Sequence, residues 1–151
     1  MSIRIIVADD HTLVRETLAR ILDEQDDIDV IGEAANGDAA MEMTMQLRPD
    51  VVVMDVSMPP VLSGLEATRW IRVTWPDVKI VALSMHAGAA YVAQMFEAGA
   101  NAYLLKDADI DELLTAIRSV ACGETFRGTG LDIHPAGNHW PAEHTPPPYP
   151  Y

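Results

Sequence analysis

Short apolar runs alternate along the chain with longer stretches in which apolar residues recur every three or four positions. Ile3 to Ala8 (IRIIVA) reads as a strand that ends on two carboxylates, Asp9 and Asp10. From Thr12 the period changes: Leu13, Val14, Leu18, Ile21 and Leu22 fall on one helical face, with Arg15, Glu16 and Arg20 on the other. Ile28 to Gly32 predicts a second short strand, and Asn36-Gly37-Asp38 is a turn and helix-start signal before a helix over Ala39 to Leu47 that Pro49 ends. Val51 to Met54, β-branched in three of four positions, predicts a buried central strand terminating at Asp55. Gly64 to Val73 predicts a helix stopped by Trp75-Pro76, and Val78 to Leu83 a strand ending at Ser84. Ala89 to Ala98 predicts a helix closed by Gly99, followed by a strand over Ala102 to Leu105 that ends at Lys106. A last helix is expected from about Asp109 to Cys122, with Ile110, Leu113, Leu114, Ile117 and Val120 as its apolar stripe and Gly123 as its stop.

Strict strand-helix alternation of this kind predicts an α/β fold in three layers. A parallel sheet needs a covering helix for each right-handed crossover, so helices lie on both faces. From Gly128 the texture changes, because the last 24 residues hold six of the ten prolines and no Lys or Arg. The expected organisation is therefore a domain over 1–127 and a Pro-rich flexible tail over 128–151. His134, His139 and His144 lie in that tail and read as solvated rather than metal-binding.

Composition narrows the function classes. The chain of 151 residues is 49% hydrophobic and 22% charged, ordinary for a globular domain with a core of its own. A formal charge of −13 opposes contact with a polyanion, so direct DNA binding by this chain is not expected. No apolar run is long enough to span a membrane, the start MSIRIIVADD has no signal-peptide pattern, and Cys122 has no intramolecular partner. These features predict a cytoplasmic protein without membrane contact.

The chemistry lies in what the strands end on. Asp9, Asp10, Asp55, Ser84 and Lys106 all follow predicted parallel strands, and in an open α/β sheet the carboxyl ends share one crevice. Three carboxylates gathered there repel one another unless a cation neutralises them, and hard oxygen ligands suit Mg²⁺. A lysine and a hydroxyl opposite them supply donors for the oxygens of a phosphoryl group. Together they describe a site for placing phosphate on Asp55. Taken singly, each feature has a plainer reading: an Asp-Asp pair is an ordinary polar turn, Asp55 caps a loop, Tyr103 is a strand residue with its ring half buried, and Met41, Met43 and Met45 are adaptable helix packing.

The acidic pair Asp9-Asp10, Asp55 followed by Met58-Pro59, Ser84, and Tyr103 with Lys106 together resemble the receiver domain of two-component response regulators over about residues 3–123. The wording DDHTLVRETL, VIGEAANG, GLEATRWIR and YLLKD is similar to the NarL/FixJ (LuxR-type) group, in which a receiver precedes a helix-turn-helix DNA-binding domain. The resemblance implies a five-stranded, flavodoxin-like (βα)5 sheet of order 2-1-3-4-5, with Asp55 as phosphoacceptor for a sensor histidine kinase. It implies Mg²⁺ held by Asp10, Asp55 and the Ser57 carbonyl, with Asp9 acting mainly through water. Lys106 would pair with the phosphoryl group, Ser84 and Tyr103 would be the switch, and Ser57 and His86 would tune the lifetime of the phosphorylated form. Output would follow through a phosphorylation-dependent homodimer and the surface of the last two helices and fifth strand or an adjoining helix face, regulating transcription through a DNA-binding domain that does not follow Gly123 here. The alternative is a stand-alone receiver acting by protein-protein interaction.

Two departures accompany the resemblance. Gly64 stands nine residues past Asp55, one more than the family's usual spacing, and Asp107 stands after Lys106 where many receivers have proline, so a cis peptide there is not implied. A Mg²⁺-dependent phosphatase of the haloacid-dehalogenase type also uses an Asp after a parallel strand, but it carries a second Asp two residues on, where this chain has Ser57. An enzyme is therefore not expected. A nucleotide-binding module is also disfavoured, because neither GxGxxG nor a Walker-type loop is present.

Overall fold

The computed structural model describes residues 2–56 and 64–131. Its elements are β1 (Ile3–Ala8), α1 (Thr12–Asp23), β2 (Ile28–Ala34), α2 (Gly37–Leu47), β3 (Val51–Asp55), α3 (Gly64–Thr74), β4 (Lys79–Ser84), α4 (Ala89–Ala98), β5 (Ala102–Leu105), α5 (Ile110–Ala121) and β6 (Phe126–Arg127). All strands pair in parallel in one sheet of order β2-β1-β3-β4-β5-β6. The expected doubly wound order is present, and the expected count of five strands is corrected by β6, a two-residue strand on the outer edge of β5.

Side-chain alternation along buried strands builds two apolar layers. Ile6, Ala8, Val52, Met54, Ile80, Ala82 and Tyr103 face the layer of Ile71, Val92 and Met95 from α3 and α4. Ile5, Val7, Val51, Val53, Val81, Leu83 and Leu104 face Leu22 of α1 and Leu113, Ile117 and Val120 of α5. Because β3 is central, Val51 to Asp55 are buried without exception, and the strand delivers a carboxylate to the sheet's end.

Helix boundaries follow local chemistry. Asn36 accepts the Ala39 amide at 2.8 Å, so α2 starts two residues before the expected Ala39, and Asp109 accepts the Glu112 amide at 2.9 Å to cap α5. Gly99 ends α4 at φ 113°, a left-handed conformation, and a Cβ there would also strike the Arg72 side chain. Gly64 is required for a different reason: a Cβ at that position would lie 2.5 Å from Val56 Cα and 2.6 Å from the Asp55 carbonyl oxygen. The first turn of α3 is therefore seated directly on the end of β3.

Gly128, Thr129 and Leu131, in the sequence segment assigned to the tail, lie against the domain. The Gly128 amide donates to the Tyr103 carbonyl at 2.9 Å, and Leu131 packs on the layer containing Tyr103. The rest of the proline-rich tail with its three histidines, and Ser57, Met58, Pro59 and the extra loop residue before Gly64, lie outside the described residues.

Candidate functional site

β1, β3, β4 and β5 bring Asp9, Asp10, Asp55, Ser84 and Lys106 to one end of the sheet, as the strand ends predict. Asp55 and Asp9 are almost wholly buried, at 1% exposure each, which is tolerable for carboxylates only because charge partners accompany them. Lys106 Nζ lies 3.1 Å from Asp55 Oδ2 and 3.2 Å from Asp9 Oδ2, bridging two strands. One ligand atom from each of Asp9, Asp10, His11 and Asp55 can be chosen so that all four lie within 4.8 Å of one another.

Electrostatics follow from this packing. Burial pushes the Asp9 carboxyl up, but the His11 amide, at 2.9 Å from Oδ1, and the Lys106 ammonium outweigh it and hold Asp9 below the usual carboxylate range. Burial likewise pulls Lys106 down, and Asp55 and then Asp9 outweigh it and raise the ammonium above its ordinary value.

The donor set fits a hard divalent cation. Asp9 Oδ2 and Asp10 Oδ1 are buried and lack any well-aligned hydrogen bond, although Asp9 Oδ2 has the Lys106 charge nearby and Asp10 Oδ1 lies 3.2 Å from His11 Nδ1. Clustered carboxylate oxygens with unsatisfied acceptor capacity are what Mg²⁺ coordinates.

The sequence reading omitted two residues here. His11 follows the acidic pair directly, and its Nδ1 lies 3.1 Å from Asp9 Oδ1. Three successive ligand-type side chains, Asp9-Asp10-His11, were the available signal. Arg15, one turn into α1, donates to the Asp9 carbonyl at 2.9 Å and to Glu33 Oε1 at 3.2 Å, bracing the turn from behind.

On the other side Ser84 is fully buried, and its Oγ accepts the His86 amide at 3.0 Å. Tyr103 is fully buried rather than half buried: its ring packs inward, its hydroxyl donates to the His86 carbonyl at 2.7 Å, and burial pushes the phenol up against the opposing effect of Ser84. The His86 ring stacks on Tyr91, with centroids 4.1 Å apart, so His86 meets the site through its backbone while its imidazole packs on α4.

A parallel sheet of this order, with an acidic pair, a central aspartate and a bridging lysine at its carboxyl edge, is a receiver architecture. The chain belongs to the response regulator receiver domain family, whose model matches residues 5–118. It is 40% identical over 137 residues to the transcriptional regulatory protein DegU of Brevibacillus brevis, covering 91% of this chain and 55% of that protein. It is 43% identical over 123 residues to the oxygen regulatory protein NreC of Staphylococcus carnosus (strain TM300), covering 82% of this chain and 57% of that protein. The chain thus spans about half the length of the curated relatives it matches. Among solved structures it is similar to a LuxR-family two-component response regulator from Aurantimonas sp. SI85-9A1, with TM-score 0.79 and 36% identity over 83% of this chain and 89% of that one. The signal receiver domain of the response regulator NarL from Mycobacterium tuberculosis gives TM-score 0.77 and 33% identity over 82% of this chain and 98% of that one. The family read from the motifs, and its NarL/LuxR-type grouping, are borne out. Both curated relatives are named as regulatory proteins. Among the described residues no helix is long and apolar enough to cross a membrane.

Proposed function

We propose that this receiver takes a phosphoryl group from the phosphohistidine of a sensor histidine kinase onto Asp55. A carboxylate oxygen of Asp55 forms the new P–O bond as the P–N bond to the donor imidazole breaks, and the electron pair leaves with that imidazole. The observation that carries the reading is the placement of Asp55: buried at the end of the central strand, 3.1 Å from Lys106 and grouped with Asp9 and Asp10. Lys106 stands where it can pair with the transferred group, and the Ser84 hydroxyl, on the neighbouring strand, can turn to donate to it. Asp10, Asp55 and the Ser57 carbonyl would hold Mg²⁺, with Asp9 through water. The ion supplies neutralisation of the charge gathered on the phosphoryl oxygens.

Ser57 and His86 are each two residues beyond a site residue, so both are assigned to tuning the lifetime of the acyl phosphate. Ser84 and Tyr103 form the switch, and its output is a phosphorylation-dependent homodimer. Transcriptional regulation through a DNA-binding domain comes from likeness to longer relatives, and this chain itself is assigned no DNA contact and a cytoplasmic location.

Incubation with acetyl phosphate and Mg²⁺ should add one phosphate, and Asp55→Asn should abolish it. Equal incorporation by Asp55→Asn would refute the assignment. Decay of the phosphorylated form should change in Ser57→Ala and His86→Ala, and three indistinguishable decay curves would remove those residues from the lifetime role.

A further inference from the structure

The edge of β5 is occupied by the chain's own residues 126–131, and these residues join three elements at once. Phe126 and Gly128 donate to the Asn101 and Tyr103 carbonyls at 3.0 and 2.9 Å. Arg127 lies over the Phe96 ring of α4, 4.3 Å from its centroid, and Thr129 donates through its amide and its hydroxyl to the Glu112 carboxylate of α5. The strap thereby covers the α4–β5–α5 face, which the sequence reading assigns to output.

It is also wired to the switch. Ser84 Oγ accepts the His86 amide, the His86 carbonyl accepts the Tyr103 hydroxyl, and the Tyr103 carbonyl accepts the Gly128 amide. The His86 backbone joins the first bond to the second, and the Tyr103 residue joins the second to the third. We propose that residues 126–131 form a cis strap on the α4–β5–α5 face, released when Ser84 turns toward a phosphoryl group on Asp55. This inference rests on the Asp55 reading.

The direction follows from the balance of contacts. As the Ser84 hydroxyl swings toward a new acceptor, its bond with the His86 amide is strained. The His86 peptide moves, and the Tyr103 hydroxyl bonded to its carbonyl moves with it. Against such a shift the strap has a paired strand only two residues long, the part-exposed Glu112 carboxylate, the Phe96 ring face, and the partly buried Phe126 and Leu131 side chains. Coupling of this kind is reciprocal: whatever loosens the strap must also favour the phosphoryl-bound state.

Gly128 offers a clean lever. A Cβ there would meet Leu104 Cα and Cγ at 3.2 Å and Glu112 Oε2 at 3.3 Å, so Gly128→Val pushes the strap away without touching the acidic pocket. Glu112→Ala loosens it from the α5 side and guards against a folding defect in the first variant. The test uses beryllofluoride with Mg²⁺ as an equilibrium phosphoryl mimic, with binding followed by fluorine NMR and amide exchange read at Phe126 and Gly128. Saturating mimic should speed exchange at both amides at least tenfold, and both variants should bind the mimic at least threefold more tightly than the unaltered chain. Mimic bound with strap protection unchanged or increased, or variants binding it no more tightly, would overturn the strap while leaving Asp55 in place. A mimic that does not bind, or that binds Asp55→Asn equally, would overturn both readings.

Discussion

Asp9 and Lys106 stabilise each other across β1 and β5, and their shifted titrations make the contact measurable by pH. Asp9 has its folded pKa depressed, so its contribution is present above the unfolded carboxylate value of about 3.9 and fades as pH falls through the lower folded value. Lys106 has its folded pKa raised, so its contribution is complete below about 10.4 and is lost as pH rises through the higher folded value. Lys106→Met should therefore destabilise the chain most near neutrality, by about 1–3 kcal/mol, since it leaves buried carboxylates without their cation. Urea denaturation across pH should show the gap to the unaltered chain closing at both extremes. A gap constant from pH 3 to pH 11 would mean that the lysine acts through packing alone. Asp10→Ala should leave folding intact and abolish the rise in melting temperature that Mg²⁺ produces in the parent, a rise expected from binding to the folded state only. An unchanged Mg²⁺ response would remove Asp10 from the ligands. At this scale the carboxylates and lysine were legible because each ends a strand. The part of His11 was overlooked although it directly follows the acidic pair, because one residue before a helix reads as an ordinary turn.

At the scale of elements, the junction of β3 and α3 sets the position of Asp55. Gly64→Ala places a methyl 2.5 Å from Val56 Cα and 2.6 Å from the Asp55 carbonyl, so the helix must back away or the strand end must shift. A cost of about 2 kcal/mol is expected from such overpacking, with slower phosphorylation as well, and a variant as stable and as reactive as the parent would contradict the close contact. Asn36→Ala removes only a cap and should cost about 1 kcal/mol without affecting phosphorylation. The alternating apolar runs made β1 to β5 readable, and α4 and β5 fall where the period places them. β2 runs on to Ala34 because Gly32 continues the strand pairing instead of ending it. β6 carried no sequence signal: two residues, Phe126 and Arg127, have no period, and they are extended because β5 offers an unpaired edge. The inward ring of Tyr103 likewise depends on a carbonyl contributed by His86, which only the fold supplies.

The whole chain is acidic, and it groups Asp9, Asp10 and Asp55 at one end of its sheet. With a formal charge of −13, the chain should give no gel shift with duplex DNA even at low salt, where electrostatic attraction is greatest. A shift at micromolar protein would contradict the separation of phosphate acceptance from DNA contact. Both faces of the sheet are closed by helices, and among the described residues the titratable cluster that groups three carboxylates lies at the carboxyl edge.

Phosphate bound to Asp55 as an acyl phosphate can be trapped chemically. The chain is phosphorylated with acetyl phosphate and Mg²⁺, reduced with borohydride so that an acyl phosphate becomes an alcohol, and sequenced by tandem mass spectrometry. Homoserine is expected at position 55, with aspartate retained at positions 9 and 10. Homoserine at either of the other two, or a phosphate that resists reduction, would contradict the Asp55 assignment.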